Sequence, residues 1–333
     1  MIKKFNENYI YQPKKNLHIK EIINGISNAN PAILSQAITL LESQRKEDKA
    51  LVYSALSKLP PTDHKSFRIG ITGSPGVGKS TFIETFGKHL SSMGISVAVL
   101  TIDPSSKING GSILGDKTRM EELSKEPNVF IRPSPSRGEL GGVGEQSYES
   151  ILLCEKAGFD VILIETVGVG QSETTVSKLV DIMLLLTITG AGDQLQGIKR
   201  GIIEFAHLII VTKDDGDNKI KTKEAVLEYK NTTSINAPID DYWIPKVIKC
   251  SAQENTGIKE VNELVNQFIS NAKSDNYFED KRLKQEKFWI HKIIKEEIGN
   301  RKFKVLASEN ILCKIENEVI DDKKNIYEII KSL

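Results

Sequence analysis

The chain has 333 residues, of which 39% are hydrophobic and 27% charged, with 45 basic and 44 acidic side chains nearly cancelling. A chain of this length buries about three-quarters of its unfolded surface, so it needs no disulfide or metal staples to fold. The charge balance argues against nucleic acid or an anionic membrane as its main partner.

Residues 1–15 are polar and basic and lack the apolar stretch of a signal peptide. Residues 1–65 read as a helical segment: Asn30-Pro31 is a start signal, and Ile33, Leu34, Ala37, Ile38 and Leu41 follow at helical spacing. From about 66 to 275 short apolar runs alternate with helical patterns. Candidate strands lie at 68–72, 97–102, 129–131, 161–164, 182–187, 208–211 and 247–250, and most lack polar alternation, as strands buried on both faces do. Candidate helices fill 79–92, 144–157, 219–230 and 257–270. The expected fold class is α/β, a mostly parallel sheet flanked by helices.

Residues 276–333 are highly charged, with Leu283, Phe288, Trp289, Ile293, Ile294 and Ile298 near one helical face. This predicts a C-terminal helical arm packed on its own domain or on a second subunit; mixed charges disfavour a membrane-lying helix. The longest apolar run, 182–186, is far below the roughly 20 residues of a bilayer span. Cys154, Cys250 and Cys313 are far apart without a CxxC, so no disulfides are expected. The expected location is the cytoplasm.

Chemistry concentrates at Gly73-Ser74-Pro75-Gly76-Val77-Gly78-Lys79-Ser80, which matches GxxxxGK[ST] between a strand and a helix, with Thr81 next as a further candidate nucleotide contact. The glycines let backbone N–H groups curl around phosphates, and the helix N-terminus adds positive potential. Lys79 is expected to reach the β- and γ-phosphates, and the Ser80 hydroxyl to bind Mg²⁺. Three acids are placed to complete a Mg²⁺ shell directly or through water: Asp103 and Glu165 at strand ends, and Asp116 in the Gly-rich stretch 110–116. Each could instead be a helix cap.

Glu165-Thr166-Val167-Gly168 resembles the DxxG switch of GTPases, with the Gly168 N–H sensing the γ-phosphate. Val169 stands where Ras-like enzymes carry the water-orienting Gln, and Gln171 lies two positions on. Slow intrinsic hydrolysis, completed by a conformational change or a partner, is therefore expected. Thr212-Lys213-Asp214-Asp215 follows a strand where GTPases carry NKxD, and the Asp215 carboxylate can accept two hydrogen bonds from guanine. Ser251-Ala252-Gln253 after the next strand matches the short loop that contacts the guanine oxygen. Together these favour GTP/GDP over ATP.

These stretches, with 103–106, 110–120, 132–138, 165–173 and 190–199, resemble the MeaB/ArgK family of P-loop GTPases, most strongly over 65–270. The resemblance implies a P-loop GTPase that acts as chaperone to an adenosylcobalamin-dependent acyl-CoA mutase, usually methylmalonyl-CoA mutase, gating cofactor loading and protection. It also places Asp103, Asp116 and Glu165 in the Mg²⁺ and switch shell and Lys199 on a third switch loop. A homodimer built with the C-terminal arm is implied as well. Departures are Thr212 for Asn, Asp214 for Ala, and Lys107-Ile108-Asn109. Three other readings compete. A transport-associated ATPase lacks the LSGGQ signature and a membrane segment. A metallochaperone GTPase would bring a Cys/His cluster, whereas His18, His64, His89, His207 and His291 are scattered. A small-molecule kinase would draw a lid from Arg119, Arg132 and Arg137.

Overall fold

The computed structural model describes residues 17–60, 65–103, 120–135, 147–166, 173–189, 200–235, 242–321, 324 and 326–332. Its centre is a parallel seven-stranded sheet, formed by β1 (Phe67–Gly73), β2 (Val97–Asp103), β3 (Val129–Pro135), β4 (Val161–Thr166), β5 (Ile182–Thr187), β6 (Leu208–Val211) and β7 (Lys246–Lys249). The order across the sheet is β3-β2-β4-β1-β5-β6-β7. Every residue of β1, β4 and β5 is buried, which is why these runs are continuously apolar rather than alternating. The strand expected to end at Ile131 continues to Pro135, paired along its length with β2. Pro133 and Pro135 read as strand breakers, but β3 is an edge strand with one neighbour, where a missing donor is tolerated.

Before the sheet come α1 (Ile19–Ser27), α2 (Pro31–Leu41) and α3 (Lys46–Leu56). The Asn30 side chain caps α2 by accepting from Ala32 N at 3.0 Å and Ile33 N at 3.1 Å, with Pro31 in the first turn. Between strands lie α4 (Lys79–Ser92), α5 (Ser147–Lys156), the short α6 (Glu173–Ser177) and α7 (Arg200–Phe205), and α8 (Lys219–Ile235). The two short helices carry too few turns to show a hydrophobic period. After β7 follow α9 (Ile258–Ser274), α10 (Tyr277–Ser308), α11 (Ile311–Ile320) and α12 (Ile326–Lys331).

Two cores result. On one face of the sheet Phe82 and Phe86 of α4 pack with Val265 and Phe268 of α9. On the other, Leu34, Ile38 and Leu41 of α2 and Ile22 and Ile26 of α1 pack with Ile151 and Cys154 of α5. Cys154 and Cys250 are buried and Cys313 is exposed, and all three are free thiols.

The long α10 joins these cores. Its first turn places Phe278 in the α4–α9 core, while Trp289, three turns on, lies in the α1–α2–α5 core. The helix therefore crosses the end of the sheet where the central strands β1 and β5 begin. There Arg282 donates to both carboxylate oxygens of Asp181 (2.6 and 2.7 Å), to Glu155 (2.9 Å) and to Ser66 O (2.6 Å). Arg68, at the start of β1, holds Glu155 through a two-pronged contact at 2.7 and 2.8 Å. Gln285 and Trp289 donate to the carbonyls of Val180 and Lys178.

The apolar face expected along this helix is thus largely spent within the chain. Trp289, Ile293 and Ile294 are buried, whereas Leu283 and Phe288 remain 41% and 38% exposed. Gly299 breaks the helix, with φ 80° and ψ 159°. The break lets the chain fold back, so that Ile290 and Ile294 before it pack with Leu312 and Ile315 of α11 in a satellite core.

Candidate functional site

In open parallel sheets the crevice for a ligand lies beyond the carboxyl ends of the strands, where the connections diverge to opposite sides. Here β1 sits between β4 and β5, and the loop leaving its carboxyl end is 73–78. Gly73 has φ 153°, and a Cβ there would lie 2.4 Å from the Leu186 carbonyl of β5. Only glycine lets the chain turn so close to its neighbour. Gly78, at φ 97°, is the residue from which α4 starts, so the first N–H groups of α4 face the loop.

Lys79 opens α4 and is buried at 8% exposure. Its Nζ donates to Gly73 O at 2.8 Å and Ser74 O at 3.2 Å, spanning the loop. Burial pushes its pKa below the usual lysine range, and the Glu165 carboxylate opposes that shift. Glu165, near the end of β4, pairs in register with Ile71 of β1 and Thr101 of β2. Its Oε1 accepts a hydrogen bond from the Ser80 hydroxyl at 3.2 Å. Two of the expected metal oxygens are therefore neighbours, beside the loop.

Asp103 ends β2 next to β4. Asp116, Gly168 and Lys199, with Arg119, Arg137 and 107–109, lie outside the described residues. Arg132 is engaged away from any lid role: it binds Ser35 and Thr39 of α2 and Glu42 just after it at 3.0–3.3 Å. Among the described residues no three His, Cys, Asp or Glu side chains converge to hold a metal. Mg²⁺ at a nucleotide is held by few protein oxygens, the rest coming from phosphate and water. Ser80 and Glu165 are hard oxygen donors and fit that ion.

The next strand ends hold the base-side loops. Ser251 donates to Asp215 Oδ2 at 2.6 Å and accepts from Glu254 N at 3.0 Å, locking the 251–256 loop to the Asp215 carboxylate. The Thr85 hydroxyl of α4 lies 3.1 Å from both Ala252 O and Thr81 O, so this loop packs within hydrogen-bond reach of the phosphate-loop helix as well. Lys213 takes φ 60°, and its carbonyl accepts from Asn218 at 2.8 Å. Ala252 is half-buried and Gln253 exposed.

Two departures from the family pattern find partners here. Asp214 is buried and bound by Lys249 at 2.6 Å and by the Thr222 hydroxyl. Burial pushes its pKa up, but the hydrogen bonds of Lys249 and Thr222 prevail and hold it below the usual carboxylate range. Sequence reading could not pair it, because Thr222 and Lys249 carry no motif. Thr212 Oγ1 lies 2.7 Å from Val77 O and 3.1 Å from Thr187 O. A hydroxyl has one proton, and Thr187 O already accepts from Thr212 N at 2.8 Å, so the proton goes to Val77 O. Thr212 thus pins the phosphate loop from the base side.

Thr212→Val is accordingly expected to cost about 1–2 kcal/mol of stability by leaving the buried Val77 carbonyl unpaired. Nucleotide affinity should fall several-fold, while Thr212→Asn keeps both. Thermal unfolding and a GDP titration measure this; unchanged GDP affinity in Thr212→Val would remove the pinning role.

A parallel α/β sheet with this loop, lysine and base-side carboxylate defines a P-loop GTPase. The chain belongs to a family of that class, described as methylmalonyl Co-A mutase-associated GTPase MeaB, whose sequence model matches residues 34–307. It is 44% identical over 285 residues to "GTPase ArgK" of Escherichia coli (strain K12), covering 86% of each chain. It is 42% identical over 317 residues to "Methylmalonic aciduria type A homolog, mitochondrial" of Caenorhabditis elegans, covering 92% of this chain and 79% of that one. A crystal structure titled "LAO/AO transport system kinase" superposes with a TM-score of 0.71 at 34% identity, covering 94% of this chain and 96% of the other.

Proposed function

We propose that this protein is a GTP-driven chaperone of an adenosylcobalamin-dependent acyl-CoA mutase, methylmalonyl-CoA mutase being the favoured partner. The family match across 34–307 carries the reading. In this proposal 66–275 form the GTPase unit, with 1–65 and 276–333 as helical additions. Lys79 and the N–H groups of 73–78 hold the phosphates. Ser80 and Glu165 would hold Mg²⁺, with Asp103 and Asp116 completing its shell, and the ion when bound neutralises charge on the phosphates.

Asp215 reads guanine. Its Oδ2 accepts from Ser251, yet each carboxylate oxygen accepts more than one hydrogen bond, so both remain open to the N1–H and amino group of the base. Glu165 leads directly into 166–168, so a contact of Gly168 with the γ-phosphate would couple nucleotide state to that segment, and Lys199 to a partner surface. A homodimer is part of the proposal, supported by the exposed Leu283, Phe288 and Val305 of α10. The three free thiols fit a reducing cytoplasm.

Competition against a labelled guanine nucleotide tests the base reading. GTP and GDP are expected to displace it far ahead of ATP, and Asp215→Asn to lower that preference about tenfold or more, since an acceptor becomes a donor. Equal displacement by ATP in the wild type would overturn it. The partner reading is tested by GTP turnover with and without purified methylmalonyl-CoA mutase. Stimulation is expected; neither stimulation nor a complex by light scattering would remove the mutase from the proposal.

A further inference from the structure

Asn218 stands at the end of the single 3-10 turn Gly216–Asn218, directly before α8. Lys213, earlier in the same loop, takes a left-handed φ of 60°, which a lysine keeps only where its surroundings fix it. The Asn218 amide supplies that hold, its Nδ2 donating to Lys213 O at 2.8 Å. The backbone N–H of Asn218 donates to Asp215 O at 3.0 Å. One residue therefore grips the chain on both sides of Asp214. A carbonyl oxygen only accepts, so Nδ2 faces Lys213 O and Oδ1 turns the other way. There Oδ1 accepts from the Thr189 hydroxyl at 2.7 Å. Thr189 lies two residues past β5, on the connection that carries Lys199 further along. Both Asn218 and Thr189 are half-buried.

We propose that Asn218 is a positioning residue for guanine recognition: it sets the direction of the Asp215 carboxylate and, through Thr189, ties that direction to the connection leaving β5. The proposal rests on Asp215 as the guanine acceptor. Two hydrogen bonds accepted side by side need the carboxylate plane to be fixed, because each bond weakens steeply once misaligned. Ser251 holds Asp215 Oδ2 and by itself leaves the group free to swing about that contact. The grip on residues 213 and 215 fixes the backbone from which it swings. Asn218 acts through the loop and needs no contact with the base. Any shift of Thr189 moves the same amide that holds Lys213 O, so the base pocket and the connection leaving β5 share one side chain.

The test titrates GDP, IDP and ADP by calorimetry into the full chain and into Asn218→Ala, Thr189→Val, Thr189→Ser and the double variant Asn218→Ala/Thr189→Val. Inosine lacks the exocyclic amino group, so GDP and IDP share their phosphate contacts and differ by one of the two bonds to Asp215. Wild type is expected to prefer GDP to IDP about tenfold or more, as one hydrogen bond to a charged acceptor requires. Asn218→Ala should cut that ratio to about threefold or less. Thr189→Val should lower it in the same direction, and Thr189→Ser, which keeps the hydroxyl, should retain the wild-type ratio. The double variant should match Asn218→Ala, because both changes act through one chain of bonds. A residue that merely caps the turn would lower the thermal midpoint and weaken GDP and IDP alike; an unchanged ratio in Asn218→Ala therefore overturns the proposal. A wild-type ratio in Thr189→Val, or an additive loss in the double variant, overturns the tie to β5. Wild type that does not separate GDP from IDP and ADP overturns Asp215 as the guanine acceptor, and this inference with it. If Asn218→Ala fails to fold by circular dichroism, Thr189→Val against Thr189→Ser decides.

Discussion

Lys79→Ala is expected to lower triphosphate affinity about a hundredfold, the loss of one or two charge-assisted hydrogen bonds from a poorly solvated site. The reason lies in how the loop is held. Lys79 Nζ donates to the carbonyls of Gly73 and Ser74, so the ammonium is already fixed across the mouth of the loop before a phosphate arrives. Burial disfavours its charged form and Glu165 favours it, so a polyanion entering the loop strengthens a charge the fold holds at a cost. Alanine removes that charge and also frees two carbonyls of the phosphate loop. Lys79→Arg should not rescue, because the larger planar head cannot fit the same two carbonyls from a position 8% exposed. Fluorescence titration with a labelled GTP analogue reads the effect. An affinity within threefold of wild type for Lys79→Ala, a factor of about 0.65 kcal/mol, would mean that the lysine does not face the phosphates.

Arg282→Met is expected to destabilise the protein by about 3–5 kcal/mol, because it strips the buried Asp181 of its guanidinium partner and leaves Glu155 with Arg68 alone. Asp181 and Glu155 have side-chain exposures of 2% and 14%. Glu155 is held down to about 2; burial alone would push it up, and the charges of Arg68 and Arg282 outweigh burial. The unfolded chain, with its glutamates near about 4.3, binds more protons than the folded one between that value and about 2. The contribution of Glu155 to stability is thus complete above about pH 4.3 and is lost as the pH falls through about 2. Denaturant unfolding at pH 7 and pH 3 should show wild type losing stability on acidification. Arg282→Met should start lower and lose less over the same step. A variant within 1 kcal/mol of wild type at pH 7, a small share of the expected loss, would show that the network contributes little.

The same geometry sets what removing the arm would do. Deleting 276–333 takes away Arg282, Gln285 and Trp289, which serve Asp181, Val180 and Lys178 at the base of the sheet. The truncated chain is therefore expected to unfold more readily, whatever its oligomeric state. Point changes at the exposed Leu283 and Phe288 probe a dimer without touching this network.

The sequence by itself determined the strand order along the chain, the loop at 73–80, and the class of chemistry. Continuous apolar runs arise from burial on both faces, and a phosphate loop needs its glycines, lysine and serine adjacent in sequence, so both are local signals. The short Asp215 and Ser251 motifs were legible for a similar reason, since each sits just after a strand. The extension of β3 through Pro133 and Pro135 was not legible, because edge position is a property of the sheet, not of the run.

What only the tertiary structure decided rests on pairs far apart in the chain. Thr212 reaches Val77, Asp214 reaches Lys249, and Arg282 reaches Ser66, Glu155 and Asp181. The amphipathic stretch around Trp289 announced a buried face but not its target. A hydrophobic period specifies that a face is covered, whereas the partner that covers it is chosen by where seven strands and their connections bring other residues. For α10 that partner is mostly the starting end of the central strands, and the charges that settle it there carry no periodic signal.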